Sequence, residues 1–189
     1  MKRVFLAAVA AGFVVFFWGA VSHMLLPIGM MGIGHTGSAD SAILEHLDQH
    51  LDKPAVYMMP DYPEGEVSEA EQEALTKRYM DGPTAFLVFN PTGTNPWDPM
   101  YFIWEIIASI LGGLLAAFIV FKSGAEHFWC KVGTVTFMGL FAWVSISVPY
   151  WNWYRFPTAF TLGQGIDEVA GWFLGGLVIA WIVKAKPAE

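Results

Sequence analysis

The chain has one cysteine, Cys130, so no disulfide can form within it. It is also short of charge: 14% of its residues are Asp, Glu, Lys or Arg, where a soluble domain carries about 25%. Positive charge is the scarcer kind, with 10 Lys and Arg against 17 Asp and Glu, for a formal net charge of −7. That balance lacks the basic footprint that nucleic-acid binding needs. Familiar catalytic signatures are missing as well. No Walker loop, dinucleotide fingerprint, GxSxG elbow or HExxH sequence occurs, so the common phosphate-binding, dinucleotide and hydrolase readings lose support. No repeat or low-complexity tract stands out.

What is present is apolar. Hydrophobic residues make up 55% of the chain and aromatics 16%, and the mean hydropathy is +0.46. The excess falls in four blocks, which points to a polytopic membrane protein. The first block runs from about Val4 to Leu26, behind Lys2 and Arg3. Ala20-Val21-Ser22 resembles a leader cleavage site, but a leader's apolar region is about 7–15 residues and this run is longer, so an uncleaved span is expected. The other blocks run from about Tyr101 to Phe121, Val132 to Tyr150 and Ile166 to Val183. Ala8 and Gly12, then Ala108, Gly112 and Ala116, then Gly171 and Gly175, supply small residues for close helix packing.

The expected fold is an α-helical membrane protein: four transmembrane helices with a small α/β extracytoplasmic insertion between spans one and two. Its parts are residues 1–26, the insertion 27–99 and a three-helix region 100–189. Lys2, Arg3, Lys122, Lys131, Lys184 and Lys186 fall on one side of four spans, which places both termini in the cytoplasm.

Within the insertion, Gly29, Gly32, Gly34 and Gly37 suggest a loose approach. A helix is expected from Asp40 or Ser41 to Leu51, with Ile43, Leu44, Leu47 and Leu51 on one face. Ala55 to Met59 and Thr84 to Phe89 read as strands. Ser68-Glu69-Ala70-Glu71 is a capping box that opens a helix to about Met80. Strand–helix–strand order makes the two strands parallel if they pair. The insertion holds twelve Asp and Glu against Lys53, Lys77 and Arg78, a charge that would attract a basic periplasmic partner.

The stretch from Pro149 to Gly176 carries the densest chemistry. Tyr150, Trp151, Trp153 and Tyr154 suit a membrane–water interface. Arg155 follows, then a Gly-containing loop, and Asp167 and Glu168 open the fourth span. By topology His23, Glu105, Arg155, Asp167 and Glu168 fall at one level, and ionisable groups there are functional candidates. With Trp151 and Trp153 they form a candidate ligand or interface layer. The structural alternative has Arg155 paired with Asp167 first or Glu105 second, pinning the loop, while Glu168 faces water.

Metal chemistry has weaker candidates. His46 and His50 are four apart on an expected helix, and His35, Glu45 or Asp48 could complete a zinc or copper set. A solvated helix flank is the alternative. Met24, Met30, Met31, Met58 and Met59 could serve copper or simply fill apolar space. His23 and His127 lie at opposite faces, which disfavours a bis-His haem. No cofactor is required by the sequence.

The pieces Trp18-Gly19-Ala20-x-Ser22-His23, Tyr57-x-x-Pro60, Gly82-Pro83 and Pro149-Tyr150-Trp151-Asn152-Trp153 resemble a group of uncharacterised bacterial four-span inner-membrane proteins. The resemblance implies a bacterial inner membrane and transfers no site residue. Two functions follow as expectations. The first is a non-catalytic accessory, assembly or interaction subunit of a larger membrane complex, whose partners are the bilayer and other membrane subunits. The second is a membrane protein that binds a metal, quinone or small solute at the outer polar layer.

Overall fold

The structure is a computed structural model, and residues 1–184 of it are described; Lys186, used above for orientation, lies outside them. It is 69% helical. In chain order the elements are α1 (Lys2–Met24), α2 (Asp40–His50), β1 (Ala55–Met59), α3 (Glu69–Asp81), β2 (Ala85–Phe89), α4 (Pro99–Ser123), α5 (Phe128–Tyr154) and α6 (Thr158–Ile182). Helices α1, α4, α5 and α6 are each long and apolar enough to cross a membrane. The chain divides into two compact units, Met1–Gly34 with Asp98–Glu189, and His35–Trp97.

In the first unit α1 packs on both α4 and α6, and α5 packs on α6, whereas α4 and α5 barely meet. Small side chains allow the close approaches. Gly113 lies against the Ala8 carbonyl, and Gly12 against the backbone of Ile110. Val4, Ala7 and Ala11 of α1, Ala116, Ala117 and Val120 of α4, Val135 of α5 and Ile179 of α6 form the buried core. Ala108, Gly112 and Ala116 do not act as one stripe. Ala108 is exposed, Gly112 receives the Trp172 ring and Ala116 is buried. The reason is geometric, since each four-residue step drifts about 40° around a helix of 3.6 residues per turn.

Lys2, Arg3 and Lys184 line one cleft with Phe121, which marks the basic end of the bundle. There Lys131 is buried, and its Nζ donates to the Val183 carbonyl at 2.8 Å. A cation at the C-terminus of α6 meets the negative end of the helix dipole.

At the opposite end the sequence expectation needs correction. Helix α6 starts at Thr158, eight residues before Ile166, and includes the Gly163 and Gly165 that were expected to form a loop. Glycine is a poor helix former, but both of these are buried contact points. Gly163 lies on the Ile28 carbonyl and Met31, and Gly165 on the Trp143 ring. Asp167 therefore stands nine residues inside the helix, about 14 Å from its start. The stretch after α1 is packed in its first part, whereas Gly34 and Gly37 are exposed with open space around them. Gly29 is buried against the His23 ring, and Gly32, at φ +75°, lies on Phe160.

Helix α5 ends in a left-handed residue, Arg155 at φ 61°. The backbone N–H groups of Arg155 and Phe156 both donate to the Tyr150 carbonyl. This is the C-terminal arrangement that glycine usually completes.

In the second unit β1 and β2 pair antiparallel, with Tyr57 opposite Leu87 and Met59 opposite Ala85. Parallel pairing was expected. Helix α3 does not carry the chain back to the start of β1. Instead the Tyr79 hydroxyl donates to the Pro60 carbonyl at 2.7 Å. That contact returns the end of α3 to where β1 finished, so β2 runs back alongside it. The capping box is present: the Ser68 side chain accepts from the Glu71 N–H, and the Glu71 carboxylate accepts from the Ser68 N–H. The hydrophobic centre of this unit is thin, with Leu75 and Phe89 buried. Helix α2 buries none of its residues; Leu47 and Leu51 are half-buried, while Ile43 and Leu44 are exposed.

Candidate functional site

Near the non-basic end of the bundle lies a cavity of about 420 Å³ between α1, α4 and α6. Its wall includes Trp18 and His23 of α1, Glu105 of α4, and Asp167, Glu168 and Trp172 of α6. Trp18 stands sixteen residues beyond Lys2, so this layer is about 24 Å along a helix of about 35 Å. Four residues of the expected layer, His23, Glu105, Asp167 and Glu168, thus line one space.

The wall is built by tryptophans seated on glycines. Trp18 Nε1 donates to the Asp167 carbonyl at 3.0 Å. That carbonyl belongs to the helix turn closed by Gly171, and Gly171 lies against the Trp18 ring. Outside this wall and nearly two turns closer to the start of α6, Trp143 Nε1 donates to the Thr161 carbonyl at 2.7 Å beside Gly165. Trp172 donates to Glu168 Oε1 at 3.0 Å, and its ring lies on Gly112 of α4 and Gly139 of α5. Rings held by both shape and an N–H bond are fixed in place.

The carboxylates differ in their partners. Glu168 accepts from Trp172. Asp167 Oδ2 is 3.8 Å from His23 Nδ1, while Asp167 Oδ1 is buried without a hydrogen-bond partner. His23 Nδ1 is also 3.0 Å from the Gly19 carbonyl. A carbonyl can only accept, so Nδ1 carries the proton. No lysine or arginine is among the lining residues.

Arg155, Trp151 and Trp153 are not part of this wall. Trp151 Nε1 donates to Thr158 Oγ1 at 3.1 Å at the α5–α6 corner, and Trp153 is exposed. The expected pairing of Arg155 with Asp167 or Glu105 does not occur. Among the described residues basic and acidic side chains come within 4 Å of each other at Lys77–Asp81 and at His23–Asp167, where the imidazole and the carboxylate are 3.8 Å apart. Arg155 sits at the mouth of α6, whereas Asp167 is more than two turns inside it.

On α2 the His46 and His50 rings are 4.4 Å apart, but His50 Nδ1 is 2.8 Å from the His46 carbonyl. Glu45 accepts from Gln49. Among the described residues, His35 included, no three His, Cys, Asp or Glu side chains converge as a metal site. Of the methionines, Met31 fills the space over Gly163 and Met24 lines the cavity.

Sequence reasoning missed Trp18 and Trp172 as wall-building residues. A signal existed for Trp172, four residues after Glu168 on a helix and so on the same face. For Trp18 the partner is 149 residues away, beyond any local pattern. No family model, curated protein or solved structure matches the chain.

Proposed function

We propose that this chain is a multi-pass inner-membrane protein that binds a small cationic solute in the polar layer of its bundle. The observation that carries this reading is the cavity, whose wall holds three carboxylates and a histidine with no lysine or arginine. Carboxylates within a spanning segment are costly unless a proton, a counter-charge or water accompanies them. Such a wall favours cations and repels anions. The volume falls in the range of small-molecule sites, about 300–1,000 Å³.

The orientation proposed is termini in the cytoplasm and the acidic insertion in the periplasm. Lys2, Arg3, Lys122, Lys131 and Lys184 support it by the positive-inside rule. The polar layer then belongs to the outer leaflet. The acidity of residues 27–99 would favour a basic periplasmic partner.

A thermal-shift panel on purified protein tests the reading, with small cationic, neutral and anionic solutes applied to wild type and to Glu168→Gln. Glutamine keeps an oxygen for Trp172 to donate to, so the wall should survive. At least one cationic solute should raise the melting temperature of wild type more than that of the variant. If no solute separates the two proteins, or only anions do, the reading fails. Stoichiometric partner subunits in a gentle-detergent pull-down would then favour an accessory role.

A further inference from the structure

We infer that the cavity is built for a protonated amine carrying an apolar body, and that the amine's N–H groups donate to Asp167. The inference rests on the cation-binding reading above and narrows it to one ligand chemistry.

Three observations lead there. First, Asp167 Oδ1 is buried in the wall and accepts no hydrogen bond. Oδ1 itself is closed off from the cavity, but Oδ2 accepts no hydrogen bond either, with His23 Nδ1 no nearer than 3.8 Å. An acceptor left unmade is costly, and an occupant with N–H donors would satisfy Oδ2. A quaternary ammonium has no such donor. Second, the other Asp167 oxygen is only 3.8 Å from His23 Nδ1, whose proton is directed to the Gly19 carbonyl at 3.0 Å. The histidine therefore does not complete the carboxylate's bonding. Third, apart from Glu105, Glu168 and His23 the wall is apolar and aromatic, with Phe16, Phe102 and Met24 lining it together with the Trp18 and Trp172 rings. Aromatic rings attract cations and pack against carbon skeletons.

A bare metal ion fits less well. No three ligand side chains converge among the described residues, and a metal would leave the apolar wall without a role. Neutral solutes would suit the rings but give the carboxylates no charge to meet.

Isothermal titration of the purified full chain tests the inference with 2-phenylethylammonium, 2-phenylethanol, tetramethylammonium and sodium. Each is titrated into wild type and Asp167→Asn, and the difference between the two proteins removes partition into detergent. The Trp18 bond goes to the Asp167 main-chain carbonyl and survives the substitution. Circular dichroism of the variant checks that the bundle is intact. The expected result is saturable binding of 2-phenylethylammonium to wild type, weakened about tenfold in Asp167→Asn, and none of 2-phenylethanol. Binding of tetramethylammonium or sodium without 2-phenylethylammonium would overturn the amine assignment and leave the cation reading standing. Equal binding of amine and alcohol would overturn the amine assignment as well. If none of the four binds, both the assignment and the reading beneath it fall.

Discussion

The indole N–H of Trp18 in α1 donates to the main-chain carbonyl of Asp167 in α6 at 3.0 Å, tying the two helices together beside the cavity. Gly171 makes the bond possible, because a Cβ there would stand 3.0 Å from Trp18 Cδ1. Gly171→Val should push the ring away and cost about 1–3 kcal/mol as overpacking. Trp18→Phe keeps a ring but no donor and should cost about 1 kcal/mol. Thermal unfolding in detergent measures both. A Gly171→Val variant as stable as wild type would mean the ring does not seat there.

The α1–α4 contact yields a paired test. Gly113 lies on the Ala8 carbonyl, where a Cβ would come within 2.6 Å, while Gly133 of α5 has nothing within 4 Å. Gly113→Ala should force the helices apart and lose about 1–3 kcal/mol. Gly133→Ala meets no obstacle and should gain up to about 1 kcal/mol from helix propensity. Equal effects on unfolding would contradict the helix pairing described here.

Arg155 is a conformational position and not a counter-ion. A left-handed residue with a Cβ costs about 1–2 kcal/mol, and glycine's freer unfolded chain returns about 0.5–1 kcal/mol of cost. Arg155→Gly should therefore be neutral to slightly stabilising. Arg155→Ala and Asp167→Asn should add to within about 0.5 kcal/mol in a double-mutant cycle. Coupling well beyond that would restore the ion pair that the geometry lacks.

Glu71 should titrate below the ordinary glutamate value. Its carboxylate accepts from the Ser68 hydroxyl, the larger cause, and from the Ser68 N–H. A depressed folded-state value means the bonded carboxylate adds stability above the unfolded value, and that stability is lost as pH falls through the folded one. Carboxyl NMR on wild type and Ser68→Ala checks this. The substitution should move the Glu71 midpoint upward, and an unchanged midpoint would contradict the capping geometry.

Local patterns explain why much of the fold could be read in the chain. Four apolar blocks announced α1, α4, α5 and α6, and the Ser68–Glu71 spacing marked the start of α3. The strand at 55–59 followed from its short apolar run. The misreadings share a cause, which is that distant partners decide them. Gly163 and Gly165 look like a loop until Met31 and Trp143 are placed against them. Strand direction depended on where Tyr79 anchors, and no periodicity records that. In the site, charge alone brought His23, Glu105, Asp167 and Glu168 to notice. Charge also suggested Arg155, whose position is set by a helix terminus instead.

The most direct test of a cation-selecting cavity uses the lone cysteine's absence as a clean background. In a Cys130→Ser protein, Ala20→Cys places a thiol on the cavity wall. Its reaction rates with a cationic and an anionic methanethiosulfonate of similar size are then compared in membranes. Three carboxylates and no lining lysine or arginine should favour the cationic reagent by about tenfold or more, with the preference reduced by adding Glu168→Gln. Equal rates for the two reagents, or a faster anionic one, would contradict the cation-selecting cavity.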